Sequence, residues 1–205
     1  MNRFRTLVSV LLLLVALPAI CAGNAAQVLD KAVGKLKGSS SVECAFKVSG
    51  NSQSVTGNLK TAGQKFKLTT SAGTTWYDGK SMWTANPASK EITLVEPSQQ
   101  EVRESNPFSY LDGYKSTFNI YFSRRKDASR HLVLLNPKTK NSEIKAVEIA
   151  INKKTYLPER FIIRDRNDRV TTIEITSLRL TGKSPEATFT CPVKQMKDYE
   201  LVDLR

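Results

Sequence analysis

Short segments with the pattern of β-strands, separated by turns of hairpin length, make up most of this 205-residue chain. The clearest of them is SVECAFKV, in which every second residue from Val42 to Val48 is apolar. Such alternation is typical of a strand that buries one of its two faces. About a dozen segments of this kind, without a fixed repeat or an internal linker, predict one domain built on an antiparallel sheet that is large enough to curl or close.

Two stretches interrupt the strand pattern and indicate helices. Near the start, AAQVLDKAVGKLKG predicts an amphipathic helix that ends at Gly38. In the middle, PSQQEVRESNPFSYLDGYK predicts a polar loop and then a short helix, with Pro107 at its first position and Gly113 at its exit. The first helix must cover another apolar surface, because it has an apolar face. That face comprises Val28, Leu29, Ala32, Val33 and Leu36.

The only two tryptophans of the chain flank a single turn. Asp78-Gly79 is typical of a two-residue hairpin turn, because such a turn needs a positive φ that glycine adopts without strain. In this register Trp76 and Trp83 are diagonal neighbours on one face of the hairpin. Tyr77 and Met82 lie on the other face. The broad tryptophan face therefore covers either a core or a ligand.

The N-terminus has the pattern of an export signal. Arg3 and Arg5 precede a long uncharged apolar run that ends in small residues, which predicts a cleaved signal peptide over residues 1–22 and one domain over residues 23–205. A transmembrane anchor is the alternative, but the run is short for a stable span. Acylation of Cys21 is a second alternative, although Pro18-Ala19-Ile20 fits a lipobox poorly.

Cleavage would leave two cysteines, Cys44 and Cys191. In an exported chain an even pair permits a disulfide between a strand near the start and one near the end. Two buried and unpaired thiols in adjacent strands are the alternative, and both possibilities stay open.

The strong positive charge of the chain, +12 at pH 7, restricts its partners. Basic residues are scattered over turns and strand edges and form no helical stripe. Such a surface suits anionic membranes or acidic proteins, or it serves solubility alone. Export argues against nucleic acid.

The sequence contains no recognisable catalytic motif. His131, the only histidine, stands at a strand start, where a structural role is expected. Asp165 and Asp168 belong to a turn. No serine has a nucleophile-elbow pattern, and there is no glycine-rich phosphate loop and no Cys/His metal spacing. We therefore expect no enzymatic activity, no catalytic residue, no metal and no cofactor.

Four segments, taken in order, resemble the periplasmic outer-membrane lipoprotein carriers, the LolA-like family. They are YDGKSMWTANPASKEIT, NPFSYL, the run from LVLLNPKTK to RVTTIEIT, and FTCPVKQMK. Each motif is weak alone, but their order and spacing over roughly residues 26–202 are specific.

The resemblance implies a mainly β fold: a curled antiparallel sheet of about 11 strands forms an unclosed barrel, and two or three short helices form a lid over its concave face. It also implies a soluble, monomeric periplasmic carrier that shields the acyl chains of lipoproteins. The implied partners are an inner-membrane release complex and an outer-membrane receptor. Alternatives with the same fold are an envelope sensor or binding module, and a carrier of another lipid such as a glycolipid.

On this resemblance, we predict two sets of site residues. The lipid cavity is predicted to be lined by Phe46, Leu59, Phe66, Leu68, Trp76, Trp83, Phe118, Ile120, Phe161 and Ile163. The lid is predicted to comprise Leu29, Val33, Leu36, Pro107, Phe108, Tyr110 and Leu111.

One position departs from the family pattern. The family often has Arg followed by Trp in its third strand, and the Arg fastens the lid by hydrogen bonds. Lys67-Leu68 corresponds to that pair here. Lys67 is thus the candidate lid latch, weaker than Arg because its ammonium lacks the planar fork of donors.

Overall fold

The structure is a computed structural model that describes residues 20–50 and 53–205. Side chains are described for residues 25–50 and 54–205, so the predicted signal peptide and the fate of Cys21 lie outside the described side chains.

The described strands form one sheet that is not closed into a barrel. Its order is β12-β6-β5-β4-β3-β2-β1-β11-β10-β9-β8-β7, and all neighbours are antiparallel except β12 and β6. The predicted fold class is confirmed. The strands are β1 (Ser41–Gly50), β2 (Gln53–Ala62), β3 (Lys65–Thr70), β4 (Gly73–Tyr77), β5 (Met82–Asn86), β6 (Glu91–Val95), β7 (Phe118–Phe122), β8 (Arg130–Pro137), β9 (Ile144–Asn152), β10 (Pro158–Asp165), β11 (Val170–Thr181) and β12 (Glu200–Asp203).

Three α-helices accompany the sheet in the described part of the chain: α1 (Ile20–Lys37), α2 (Gln99–Ser105) and α3 (Tyr114–Thr117). Helix α1 ends where Gly38 donates its N–H to the carbonyl of Gly34 at 2.8 Å, and it packs along β7 and β8. Between α2 and α3 lies a 3-10 helix, Pro107–Leu111, that starts at the predicted proline.

Helix α2 lies in a stretch predicted to be a polar loop, and that prediction was wrong. A reciprocal capping box stabilises its start. The N–H of Glu101 donates to Ser98 Oγ at 3.3 Å, and the N–H of Ser98 donates to the Glu101 carboxylate at 2.7 Å. The Ser-x-x-Glu spacing was present in the sequence as a helix signal.

The C-terminal segment also differs from the prediction. Cys191, expected in a strand near the end of the chain, instead follows a 3-10 helix, Glu186–Phe189. Pro185 starts this turn, in which Thr188 donates its N–H to the Pro185 carbonyl at 3.0 Å. A second 3-10 helix, Val193–Gln195, follows, and β12 then adds to the edge of β6.

The tryptophan hairpin has a longer loop than predicted. Tyr77 pairs with Met82 and Trp76 with Trp83, which leaves four loop residues, 78–81, instead of two. The Asp78 carboxylate accepts the N–H groups of Lys80 at 2.9 Å and Ser81 at 2.8 Å, and this Asx turn stabilises the longer loop. The two tryptophans share one face of the hairpin as predicted, but as direct partners.

Side chains on the two faces of the sheet form two separate apolar clusters. The face covered by α1, α2 and the 3-10 helix Pro107–Leu111, here called the lid face, carries the larger cluster. The opposite face, here called the outer face, carries a small cluster around Trp76 and Ile92, which Cys191 and the residues after it cover.

Candidate lipid-binding site

The lid face brings together most of the residues predicted to line a cavity. Because side chains alternate along a strand, apolar residues at every second position of β1, β2, β3, β7 and β10 meet on one surface. The predicted residues in this cluster are Phe46, Leu59, Phe66, Leu68, Phe118, Ile120, Phe161 and Ile163.

The lid supplies the opposite wall of this cluster. Phe108 lies over the sheet, and its ring meets the ring of Phe161 edge-on, with the centroids 5.9 Å apart. Pro107 borders a cavity beside it. The other predicted lid residues packed in the cluster are Leu29, Val33, Leu36, Tyr110 and Leu111.

Residues 98–111, here called the lid segment, contact the sheet through apolar side chains. Val102, Tyr110 and Leu111 are buried against the cluster, and Phe108 is partly buried there. Among the described residues, no hydrogen bond or ion pair joins this segment to a strand. Within the described ranges, the contacts that hold the lid segment on the sheet are therefore apolar.

Polar contacts instead join the lid elements to one another. Asp30 of α1 pairs with Lys115 of α3 at 2.7 Å and accepts a hydrogen bond from the Tyr114 hydroxyl. The contact with Lys115, and then that with Tyr114, lowers the pKa of Asp30. At the other end of α1, Lys37 pairs with Asp112 at 3.3 Å. These contacts cross from α1 to the residues that follow the lid segment.

In the part of the chain that the structure describes, three of the cavities border both the lid segment and the sheet. The apolar cavity, of about 120 Å³, is bordered by Phe46, Leu68 and Ile175 and by the lid residue Phe108. The polar cavity, of about 360 Å³, lies beside the end of α1 and also borders Phe108. The wide cavity, of about 600 Å³, lies at the other end of the lid segment and has an apolar floor that includes Ile163. The volumes of the polar and wide cavities fall in the usual range of ligand pockets, about 300–1,000 Å³.

Charged residues surround the mouth of the wide cavity. Arg166 lies 3.5 Å from Glu143, and Arg169 lies 2.6 Å from Asp165. Arg103 of α2 also borders the cavity. Charged and apolar residues thus line the same cavity, a combination that suits an amphiphilic ligand.

Two predicted cavity residues lie elsewhere, and their assignment was wrong. Trp76 and Trp83 project from the outer face, where Cys191 and Met196 pack against them. The faces alternate along β4 and β5, so Tyr77 and Met82 take the lid-face positions. The tryptophans cover a core formed with the C-terminal segment.

The predicted lid latch was also wrong. Lys67 lies between Phe66 and Leu68, which both point to the lid face, so its own side chain is on the outer face. Its ammonium lies 5.6 Å from the centroid of the Trp76 ring, a cation–π contact. It borders a polar cleft of the outer face together with Lys60. Lys67 therefore makes no contact with the lid.

Cys44 and Cys191 are both free and buried, so the possible disulfide does not form. Cys44 belongs to the lid-face cluster, whereas Cys191 packs on the outer face with Trp76 of β4. Strands β1 and β4 are three strand spacings apart, about 14 Å, well beyond the reach of a disulfide. Burial raises the pKa of Cys44 to about 12 and that of Cys191 to about 11.

His131 packs among aromatic side chains, as expected for a structural residue. Its ring lies between Phe122 and Tyr156, with centroids 6.1 Å and 6.0 Å away, and Lys31 of α1 lies 4.8 Å from the Tyr156 ring. Burial, followed by the charges of Lys153 and Lys31, lowers the pKa of His131. In the part of the chain that the structure describes, no three His, Cys, Asp or Glu side chains are grouped so that they could hold a metal ion.

Several site residues were missed by the sequence reasoning. Val102 of α2 was hidden in the stretch interpreted as a loop, although the capping box at Ser98 marks a helix start. Tyr114 contacts Asp30 from a four-residue helix too short to give a periodic pattern. Asn106 is 3% exposed and borders the polar cavity. Its place before Pro107 is a recognisable capping signal.

An unclosed sheet with an apolar lid over internal cavities is an architecture suited to binding an apolar or amphiphilic ligand. No helix in the described residues is both long and apolar enough to cross a membrane. Residues 16–167 match the family model described as outer membrane lipoprotein carrier protein LolA, and the chain belongs to this family. No curated protein matches it in sequence.

One solved structure shares the fold at low sequence identity, and two others align with this chain less well. An uncharacterized conserved protein from Thermus thermophilus aligns with a TM-score of 0.58 and 13% identity, over 88% of this chain and 99% of that chain. The lipoprotein LppX of Mycobacterium tuberculosis aligns with a TM-score of 0.47 and 10% identity, over 78% of this chain and 99% of its own. A LolA superfamily protein from Nitrosomonas europaea aligns with a TM-score of 0.44 and 12% identity, over 85% of this chain and 100% of its own.

Proposed function

We propose that this protein is a soluble periplasmic carrier that takes acylated lipoproteins from the inner membrane, shields their acyl chains beneath the lid and delivers them to the outer membrane. It acts by binding and release, without a chemical step. An inner-membrane release complex and an outer-membrane receptor are its proposed partners, as for other members of the family.

The observation that carries this proposal is the apolar contact of the lid segment with the sheet. A lid held by hydrogen bonds would lose them when an acyl chain entered, and burying the freed polar groups would cost free energy. A lid held by Val102, Phe108 and Leu111 exchanges one apolar contact for another. An acyl chain can therefore replace the lid's contacts with the sheet at little cost.

Burial of the acyl chains of the cargo supplies the binding affinity in this proposal. Each methylene group of an acyl chain contributes about 0.8 kcal/mol when it leaves water. Movement of the lid segment offsets part of that gain. Release then requires a receptor whose own site is apolar, or opening of the lid by a membrane partner. The ion pairs Asp30–Lys115 and Lys37–Asp112 would keep α1 associated with α3 and with the residue that follows the lid segment while the lid segment moves.

The experiment that tests the proposal is lipoprotein release from spheroplasts. The purified protein is incubated with spheroplasts of a host that makes acylated lipoproteins, and lipoprotein in the soluble fraction is measured. We expect soluble lipoprotein that co-purifies with this protein. If no lipoprotein is released by folded protein whose own lipid extract is empty, the carrier proposal is wrong.

Two neighbouring residues of β3 provide matched variants. Leu68 borders the apolar cavity on the lid face, and Thr69 borders the cleft of the outer face. Leu68→Gln puts an amide into the cavity wall, and we expect it to abolish most release. Thr69→Gln introduces the same side-chain amide on the outer face, and the amount of lipoprotein released should stay unchanged. Recovery of a lipid without a protein attached would favour the glycolipid or other lipid cargo instead.

A further inference from the structure

We propose that the polar cavity binds the linkage of a diacylglycerol group, with the side-chain amide of Asn106 donating a hydrogen bond to an acyl ester carbonyl. This inference rests on the proposed function, since it identifies which part of the cargo occupies which cavity. A hydrogen bond to an ester carbonyl would also distinguish acylated cargo from purely hydrocarbon ligands.

The hydrogen bonds of Asn106 leave one of its groups without a partner. Its Oδ1 accepts the N–H of Phe108 at 3.1 Å, and its own N–H donates to the Val102 carbonyl at 2.9 Å. The hydrogen bond from Phe108 identifies the accepting atom of the amide as Oδ1. The remaining atom is therefore Nδ2, which is a donor. Among the described residues, Nδ2 donates to no protein atom, although Asn106 is only 3% exposed.

The unpaired Nδ2 is open to the space beside it, because among the described residues the fully buried side-chain atoms without a partner are Arg160 Nε and Thr181 Oγ1. Asn106 borders the polar cavity of about 360 Å³, so a ligand in that cavity can reach it. The arrangement therefore provides a rigid donor, since its cap bond with Phe108 fixes the orientation of the side chain.

The walls of the cavity indicate the charge of the ligand group. Ser40, Ser41, Thr61 and Gln64 contribute uncharged polar groups. The two charged residues at the wall, Lys37 and Asp112, pair with each other at 3.3 Å and leave no net charge. An ionised phosphate or carboxylate would lose hydration here without a free cation to replace it. A neutral acceptor such as an ester carbonyl suits these walls.

The position of Phe108 gives the direction of the acyl chains. Its side chain borders both the polar cavity and the apolar cavity. A carbonyl at Asn106 therefore leaves the attached chain facing Phe108. Beyond it lies the apolar cavity, lined by residues such as Phe46 and Leu68. The polar linkage of one ligand would thus lie in the polar cavity, and its hydrocarbon chains would lie in the neighbouring apolar cavity.

The test compares two lipids that differ only in the carbonyl groups. Radiolabelled dipalmitoylglycerol carries ester linkages, and dihexadecylglycerol carries ether linkages with the same chain length. Each is titrated with the full chain. A hydrogen bond to the carbonyl should make the ester lipid bind about fivefold more tightly than the ether lipid.

Asn106→Asp then isolates the donor. Aspartate keeps an oxygen that accepts the Phe108 N–H, so the cap remains, but it has no N–H to donate. We expect this variant to bind the ester lipid about fivefold more weakly, and no more tightly than the ether lipid. Asn106→Ser, which also keeps a capping oxygen, should behave in the same way.

Equal binding of the two lipids by the native protein would overturn the inference and leave the carrier proposal intact, and this comparison requires no variant. Equal weakening of both lipids by Asn106→Asp in folded protein would also overturn it, because the residue would then act only through lid structure. Binding of neither lipid would count against the carrier proposal itself and against this inference with it.

Discussion

Trp76 and Trp83 lie directly opposite each other in β4 and β5, and both face the C-terminal segment on the outer face of the sheet. Their contacts are with Cys191, Val193, Met196 and neighbouring residues, on the side of the sheet away from the lid. The largest aromatic pair of the molecule therefore belongs to a structural core. This separation of core and cavity leads to the first prediction.

Trp76→Ala should destabilise the protein without affecting cargo binding. Trp76 is 6% exposed, and truncation of a buried tryptophan costs about 3–5 kcal/mol. Urea unfolding should record this loss, while the folded variant should release as much lipoprotein from spheroplasts as the native protein. Loss of release by folded variant protein would mean that the outer face takes part in binding.

Phe108→Ala should speed lipid exchange. The ring separates the polar and apolar cavities and contacts Phe161 edge-on, and such aromatic contacts contribute about 0.5–1.5 kcal/mol. Without the ring, we expect bound lipid to leave several-fold faster, measured by transfer to acceptor vesicles. Phe122→Ala is the control, since Phe122 packs in the same cluster at the sheet edge. Equal acceleration in both variants would contradict a gating role.

Gly57→Ala should destabilise the fold and disturb the cavity wall. A Cβ at Gly57 would lie 2.6 Å from the Phe46 ring and 2.6 Å from the Thr69 carbonyl oxygen. Overpacking of this kind costs about 1–3 kcal/mol, which thermal unfolding should detect. Gly34→Ala is the matched control. A Cβ there meets nothing within 4 Å, and alanine favours the helix, so stability should rise or stay the same.

His131 should make stability depend on pH in the mildly acidic range. Its pKa in the folded protein lies below the usual value of about 6.5, mainly because the ring is partly buried. Protonation therefore favours the unfolded chain. As far as His131 is concerned, the free energy of unfolding should be constant above about pH 6.5 and should fall as the pH drops below that value.

His131→Gln should flatten that slope, because this chain has no other histidine. Urea unfolding at several pH values measures the effect in both proteins. A native slope that the variant keeps in full would assign the pH dependence to other groups.

Cys44 and Cys191 should resist thiol reagents until the protein unfolds. Burial raises both pKa values, and the thiols lie on opposite faces of the sheet. Alkylation followed by peptide mass spectrometry should find both sites unmodified in the folded protein and modified in urea. A reducing agent should leave the unfolding midpoint unchanged, and a large decrease would indicate a disulfide.

Much of the fold could be predicted from the sequence because strand alternation is a local property. The pattern from Val42 to Val48 predicted β1, and the apolar stripe of Leu29 and Leu36 predicted α1 as a cover. Trp76 and Trp83 were correctly assigned to one face and Tyr77 to the other. Alternation fixes which side chains share a face, since successive side chains point to opposite sides.

Alternation cannot identify which of the two faces meets the lid. The outer face of β4 and β5 is as apolar as the lid face, because the C-terminal segment covers it. For that reason the wrong face was assigned to the tryptophans, and Lys67 was assigned to the lid. The contacts that decide this come from residues more than a hundred positions away along the chain, at Cys191 and Met196.

The sequence by itself therefore determined most of the strands, the amphipathic helix and the pairing of side chains by face, all of which follow from short-range geometry. Only the tertiary structure decided which face meets the lid and which meets the C-terminal segment, that Cys44 and Cys191 lie apart, and that Asn106 borders a cavity. These features depend on where distant segments pack, and packing is governed by the burial of whole surfaces rather than by local periodicity.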